Sequence, residues 1–323
     1  NAMEASAKEC LAYYQAKLDE EAWEAKKNGK LVCWSASVAP PEFCVAMDIA
    51  MVYPETHAAG AGGAHLGGGL SCVEIMTALY GGVFNFDKEN PTDVNRDRFL
   101  TGKAHCILTQ YSVMEELGII TEEEKYTFKQ DGGLLIGYPK NPRIGLEYSG
   151  GTLGMALSVG VGMAIDAKMK KREHKIYVMI GDGECNEGIV WEAIMTANKY
   201  KLSNLVIIVD RNKLQLSGTT EEVMDMGDLG KKFAEFGCNV QEVDGHDIEA
   251  LNDVFRADKD LQEERPRLII ANTIKGKGVS FMENVPIWHY RMPNEAEMEI
   301  VKRELEISEE EIEHAKYIFE RSI

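Results

Sequence analysis

Three apolar runs of strand length stand out along the chain: Lys175–Ile180 (KIYVMI), Asn204–Asp210 (NLVIIVD) and Arg267–Ala271 (RLIIA). The stretch from Glu187 to Tyr200 between the first two has helical spacing, and a longer helical region, 226–261, precedes the third. A strand–helix–strand unit of this kind predicts a parallel sheet with helices on its faces. Upstream, residues 4–28 predict a helix, with Leu11, Tyr14, Leu18 and Ala22 at helical spacing among charges. Leu31–Ser35 predicts a short strand, and Pro40-Pro41 predicts the opening of a helix over Glu42–Met51. Gly60 to Gly69 is nearly all glycine and alanine, and a helix over Ser71–Tyr80 follows. Residues 294–320 predict a charged helical tail with Ile300, Leu305, Ile307, Ile312 and Ile318 as its apolar positions. The fold class is α/β, a central parallel sheet flanked by helices.

Composition narrows the function more than the fold. At 323 residues the chain makes one large domain or two ordinary ones, and 45% hydrophobic with 27% charged residues excludes disorder. Lys plus Arg is 35 and Asp plus Glu 53, so the net charge is 35 − 53 = −18, which argues against nucleic acid as the main partner. A phosphorylated small molecule still fits, because one cleft can be locally positive. No apolar run reaches the ~18 residues of a membrane span, and no signal segment opens the chain. The seven cysteines (10, 33, 44, 72, 106, 185, 238) are scattered without a CxxC pair and read as reduced thiols of a cytoplasmic protein.

The strongest chemical signal is Ile180-Gly-Asp-Gly-Glu-Cys-Asn-Glu-Gly188, which follows a buried strand and runs into a helix. In an open α/β sheet, ligands sit beyond the carboxyl ends of the strands. Gly181 and Gly183 allow a diphosphate close to the backbone. Asp182 between them would repel a bare phosphate, so a bridging cation is implied, and Mg²⁺ takes one or two carboxylates together with phosphate oxygens. Asn212 lies 30 residues beyond Asp182, one strand–helix–strand repeat, so both fall on the same sheet edge. Gly-Asp-Gly alone is equally an ordinary turn. The second segment at this spacing makes that reading poor.

At these residues the chain resembles a family. GDGECNEGIVWEA with KLSNLVIIVDRNKLQLSG resembles the thiamine diphosphate motif of transketolases. GGAHLGGGLS, NRDRFLTGKAH, SGGTLGMALSVGVGMA, FAEFGCNVQEVDGHD, TIKGKGVSFMEN and WHYRMPN resemble further family segments, in order, over about residues 60–300. The resemblance is to the split form, in which the diphosphate-binding half is a separate polypeptide, here residues 59–323 after an N-terminal extension over 3–58.

The resemblance implies roles. Asp182, Asn212 and the backbone oxygen of Leu214 would hold Mg²⁺, with Gly181 and Gly183 at the diphosphate. Gly151, Thr152 and Leu153 would contact the aminopyrimidine, and His105 would donate to the diphosphate. His65 and His289 would face the reacting sugar, where imidazole can move protons near neutral pH. Glu187 would couple two cofactor sites across a dimer or heterotetramer; its simpler reading is a helix N-terminal charge. His57, His174 and His314 are expected to be structural, and His246 a turn or packing residue.

Several positions depart from the family pattern. Tyr138 stands where the family has histidine, which places a phenol titrating near ~10 where an imidazole would titrate near ~6.5. Leu66 and Thr152 replace prolines, Ala104 replaces the glycine before His105, and Lys103 sits after an apparent one-residue insertion. The first 58 residues faintly resemble the opening of 2-hydroxyacyl-CoA dehydratase subunits, without the cluster-ligating cysteine, and read as an extra layer capping the sheet or meeting another subunit. The expectation is a thiamine diphosphate- and Mg²⁺-dependent ketol transferase acting on sugar phosphates with a separate pyrimidine-binding subunit. The alternatives are another thiamine diphosphate carboligase, a 2-oxo-acid dehydrogenase component and a non-catalytic cofactor-binding regulatory subunit.

Overall fold

The computed structural model describes residues 32–34, 50–52, 65–126, 128, 134–135, 137, 140–257 and 264–322. The chain forms two compact units, one of residues 1–65 with 290–293 and the other of 66–289 with 294–323. In the first, β1 (Val32–Trp34) pairs in parallel with β2 (Ala50–Val52). β1 falls within the strand predicted over Leu31–Ser35. The helix expected over Glu42–Met51 is corrected at its end, where Ala50 and Met51 are strand. The predicted helix over 4–28, His57 and Tyr138 lie outside the described residues.

In the larger unit, α1 (Leu66–Leu70), α2 (Val73–Gly82), β3 (Arg98–Thr101), α3 (Ile107–Glu116) and α4 (Glu122–Tyr126) come first. Then follow α5 (Met155–Met169), β4 (Ile176–Gly181), α6 (Gly188–Lys199), β5 (Leu205–Arg211), α7 (Thr220–Met224) and α8 (Leu229–Glu235). β6 (Asn239–Asp244), α9 (Ile248–Arg256), β7 (Arg267–Asn272), α10 (Glu295–Glu304) and α11 (Glu309–Ser322) complete it. The five strands β3 to β7 form one parallel sheet in the order β3-β4-β5-β7-β6.

The core explains why the central strands read as unbroken apolar runs. Ile176, Val178 and Ile180 of β4 and Leu205, Ile207 and Val209 of β5 pack on one face, with Leu157 of α5, Ile194 of α6 and Phe233 of α8. Tyr177 and Met179 of β4 and Val206 and Ile208 of β5 face the other way, toward Ile75 and Leu79 of α2, Tyr111 of α3 and Phe255 of α9. A parallel strand covered on both faces needs apolar residues at every position. Each fully buried aliphatic side chain contributes about 1.5–3 kcal/mol of transfer free energy.

Two strands lack that signature. The region expected to be helical from 226 to 261 contains β6, a largely polar edge strand (NVQEVD) that is only partly buried, between α8 and α9. β3 spans four residues at the opposite edge and carries Arg98. The predicted tail helix is two helices, α10 and α11, broken where Glu306 adopts φ +55°. Gly154 opens α5 at φ +80°, a backbone conformation that costs residues with a Cβ about 1–2 kcal/mol. Among the described residues, no helix is long and apolar enough to cross a membrane.

Candidate active site

Parallel pairing brings the two chemistry-bearing loops together. Gly181, the last residue of β4, is opposite Asp210 of β5, and the Asp182 N–H donates to the Asp210 carbonyl at 3.2 Å. Both chains leave the sheet side by side at its carboxyl edge. The Asp182 carboxylate accepts the Gly183 N–H at 2.8 Å and, across the gap, the Lys213 N–H at 2.6 Å. The Asn212 side-chain oxygen accepts the Leu214 N–H at 3.1 Å. Lys213 takes φ +62°, which turns the chain sharply between Asn212 and Leu214. A cavity of about 460 Å³ opens beside Asp182, with Arg211, Lys213 and Thr219 also in its wall.

The electrostatics of this edge are organised around two carboxylates and two lysines. Asp210 is 0% exposed and ion-paired with Lys103, itself 3% exposed. Asp210 also accepts hydrogen bonds from Ser71 Oγ at 2.6 Å and from Thr273 Oγ1. Burial works against both charges of that pair. Their mutual attraction outweighs it, so Asp210 is held below the usual carboxylate range and Lys103 above the usual lysine range. Lys103 Nζ also donates to the Gly68 carbonyl at 3.0 Å, tying α1 to the sheet edge.

Asp182 has no such partner. Its carboxylate is 7% exposed, is held by two backbone N–H groups and is ion-paired with no cation among the described residues. Burial, followed by the charge of Asp210, pushes its pKa up to about 6. A buried carboxylate in that condition suits a cation supplied from outside. One carboxylate, one amide oxygen and a backbone carbonyl form an all-oxygen set of the kind Mg²⁺ uses when phosphate oxygens and water complete it. No group of three His, Cys, Asp or Glu is poised for a metal among the described residues. These residues fit the cation.

Lys275, 2% exposed, donates from Nζ to the Leu214 carbonyl at 3.2 Å and contacts His289 Nδ1 at 2.8 Å. Burial, then the charge of Lys103, lowers its pKa to about 8, so it remains an ammonium at neutral pH. An ammonium has no lone pair; Nδ1 of His289 must accept, and the neutral ring carries its proton on Nε2. The His105 and His289 rings lie 5.2 Å apart, centroid to centroid.

Glu184 accepts the N–H groups of Gly154 at 2.7 Å and Gly181 at 3.1 Å, linking the Gly151–Leu153 loop to the end of β4. Burial, partly offset by those two hydrogen bonds, raises its pKa to about 7. Glu187 is exposed at the first residue before α6 and makes no capping hydrogen bond.

This geometry converges with comparisons to known proteins. The family described as transketolase, thiamine diphosphate binding domain, matches residues 49–318. The chain belongs to that family. A subunit of apulose-4-phosphate transketolase from Phocaeicola vulgatus is 43% identical over 249 residues, covering 77% of this chain and 88% of the relative. A 6-deoxy-6-sulfo-D-fructose transketolase subunit from a Clostridium species is 36% identical over 68% of this chain and 80% of the relative. Human transketolase is 34% identical over 72% of this chain, which spans only 37% of the human enzyme. Among solved structures, transketolase from Campylobacter jejuni matches with a TM-score of 0.70 and 28% identity, over 81% of this chain and 43% of that one. The α/β fold with its central parallel sheet is therefore the transketolase thiamine diphosphate-binding fold.

Of the residues singled out from sequence, the larger unit gathers Gly181, Asp182, Gly183, Asn212 and Leu214 at one sheet edge, with His289 joined to Leu214 through Lys275 and His105 beside His289. Gly151, Thr152 and Leu153 are exposed in the loop that Glu184 anchors. His65 belongs to the smaller unit, where its ring meets Tyr290 edge-on at 4.4 Å. His174 is buried and His314 pairs with Glu122 at 2.9 Å. Sequence reasoning missed Lys103, Lys275, Asp210 and Glu184. Lys103 and Asp210 each lie two residues before a marked residue (His105 and Asn212), Glu184 follows Gly183, and Lys275 lies within the TIKGKGVSFMEN segment.

Proposed function

We propose that this chain is the diphosphate-binding subunit of a two-component transketolase, which moves a two-carbon ketol unit from a ketose phosphate to an aldose with thiamine diphosphate and Mg²⁺. The observation that carries the reading is the buried Asp182 carboxylate, without an ion-pair partner among the described residues, set beside Asn212 and Leu214 at the carboxyl edge of the sheet. The subunit naming of the Phocaeicola and Clostridium relatives supports a separate pyrimidine-binding partner, in a dimer of such pairs. Their substrates also support a sugar other than the usual pentose phosphates, in line with Tyr138 in place of histidine. The reaction belongs in the cytoplasm, with neither nucleic acid nor membrane as partner.

Thiamine diphosphate supplies a carbanion equivalent at C2 that accepts and donates the ketol unit. Asp182, Asn212 and Leu214 would hold Mg²⁺, and His105 would donate to the diphosphate. Gly181 and Gly183 let the backbone come close to it, and Gly151, Thr152 and Leu153 would line the aminopyrimidine. His289, whose Nδ1 meets Lys275 Nζ at 2.8 Å, would face the reacting sugar and move a proton there. His65, in the smaller unit, would be a further sugar-contacting histidine. The exposed carboxylate of Glu187 would meet its counterpart across the interface between two cofactor sites.

The test is ketol transfer from a panel of ketose phosphates, apulose 4-phosphate included, by the purified chain with Mg²⁺ and thiamine diphosphate, alone and with its candidate partner. Turnover only with the partner is expected. Full turnover by the chain alone overturns the two-component reading. Stoichiometric cofactor binding without turnover in any combination would favour a non-catalytic subunit instead.

A further inference from the structure

His246 was expected to be a turn or packing residue, and its surroundings say more than that. It follows β6, and Gly245 extends the β6–β7 ladder by donating its N–H to the Asn272 carbonyl at 2.8 Å. The His246 ring then reaches the segment after β7, where Nε2 accepts the Ile274 N–H at 2.8 Å. A nitrogen that accepts carries no proton, so the neutral ring must hold its proton on Nδ1. Nδ1 faces Glu74 Oε2 of α2 at 3.1 Å. Both atoms are buried, and neither makes a hydrogen bond, to the other or to any further group, among the described residues. Each of these polar atoms would be costly to bury without the other.

The anchored segment is the one the site depends on. Thr273 donates to Asp210, Ile274 to His246, Lys275 to Leu214 and His289, and the Gly276 N–H to the Gly67 carbonyl at 2.9 Å. Ile274 is the residue immediately before Lys275, and its N–H has an imidazole rather than a backbone carbonyl as acceptor. We propose that Glu74 and His246 are positioning residues: Glu74 fixes the Nδ1–H tautomer of His246, whose Nε2 holds the Ile274 N–H and so sets Lys275 on the Leu214 carbonyl and His289. Neither residue touches cofactor or substrate. The role of the segment rests on the ketol-transferase reading above; the tautomer and the hydrogen bond do not.

The structural half is read from the full chain by ¹⁵N-histidine NMR, with the His246 ring assigned by its loss in His246→Gln. A neutral ring protonated on Nδ1 is expected, and a ring protonated on Nε2 overturns the proposal whether or not any variant folds. Hydrogen exchange over residues 270–276 and calorimetric affinity for thiamine diphosphate with Mg²⁺ then test the positioning. In His246→Gln the amide oxygen can replace Nε2 as acceptor, so exchange and affinity should stay within about threefold of wild type. His246→Leu removes the acceptor and should speed Ile274 exchange and weaken cofactor affinity by about tenfold or more. Faster exchange in His246→Leu with unaltered affinity overturns the positioning role, as does a glutamine variant no better than leucine. If tautomer, exchange and affinity behave as expected while wild type transfers no ketol unit with any partner, the functional reading fails and the positioning pair stands.

Discussion

Replacing Lys103 by methionine keeps the length of an apolar stem and deletes one charge. Asp210 would then remain 0% exposed, with Ser71, Thr273 and the Asn212 amide as hydrogen-bond donors and no cation. Breaking a buried ion pair by removing one partner costs about 3–5 kcal/mol, because the remaining charge is neither solvated nor compensated. At ~2 °C per kcal/mol for a chain of this size, the expected fall in Tm is roughly 6–10 °C. The pH dependence should reverse as well. In the wild type the depressed carboxyl of Asp210 contributes stability above its unfolded pKa of ~3.9, and that contribution is lost as pH falls through the lower folded value. Without Lys103, burial dominates and lifts the Asp210 pKa, so stability should instead decline as pH rises. Removing the orphaned charge in Lys103→Met/Asp210→Asn should recover most of the loss. Urea unfolding and thermal melts followed by circular dichroism from pH 5 to 8 measure all three. A single variant within about 1 kcal/mol of wild type, or a double variant no more stable than the single, would refute the argument that this pair is coupled and buried.

Two further outcomes follow from the raised carboxyl groups. Asp182 must lose its proton to bind Mg²⁺, so apparent cation affinity should fall about tenfold per pH unit below its pKa of about 6, and Asp182→Asn should abolish Mg²⁺-dependent cofactor binding; calorimetry showing a flat profile between pH 5 and 6 would contradict this. Glu184, raised to about 7, favours folding in its protonated form, a contribution complete below ~4.3 and lost as pH rises through 7, so the Tm difference between wild type and Glu184→Gln should change steadily across that window, and parallel curves would count against it.

The central sheet was legible because β4, β5 and β7 are covered on both faces, which leaves a continuous apolar run in the sequence. β6 and β3 were not, because an edge strand is half-exposed and a four-residue strand is too short to show a period. The break between α10 and α11 was hidden for a related reason: the charged, surface-facing residues around Glu306 continue the helical pattern through a residue at positive φ. The glycine and alanine stretch carried no helical signal either, yet Leu66–Leu70 is a helix, held from outside by Lys103 on the Gly68 carbonyl and Thr109 on the Gly69 carbonyl.

The sequence by itself determined the parallel α/β architecture and, through its ordered motifs, the family; the strand–helix–strand spacing put Asp182 and Asn212 on one sheet edge, while Leu214 was implied by the resemblance alone. What only the tertiary structure decided is which charges share that edge. Asp210 and Lys103 are 107 residues apart in sequence, Lys275 and Leu214 are 61 apart, and no local pattern links them. Their pairing comes from β3, β5 and β7 ending at the same side of one sheet, where low polarity makes each buried charge depend on whatever neighbour the fold brings to it. That is why Asp210 is ion-paired with Lys103, while the Asp182 carboxylate is held only by backbone N–H groups among the described residues.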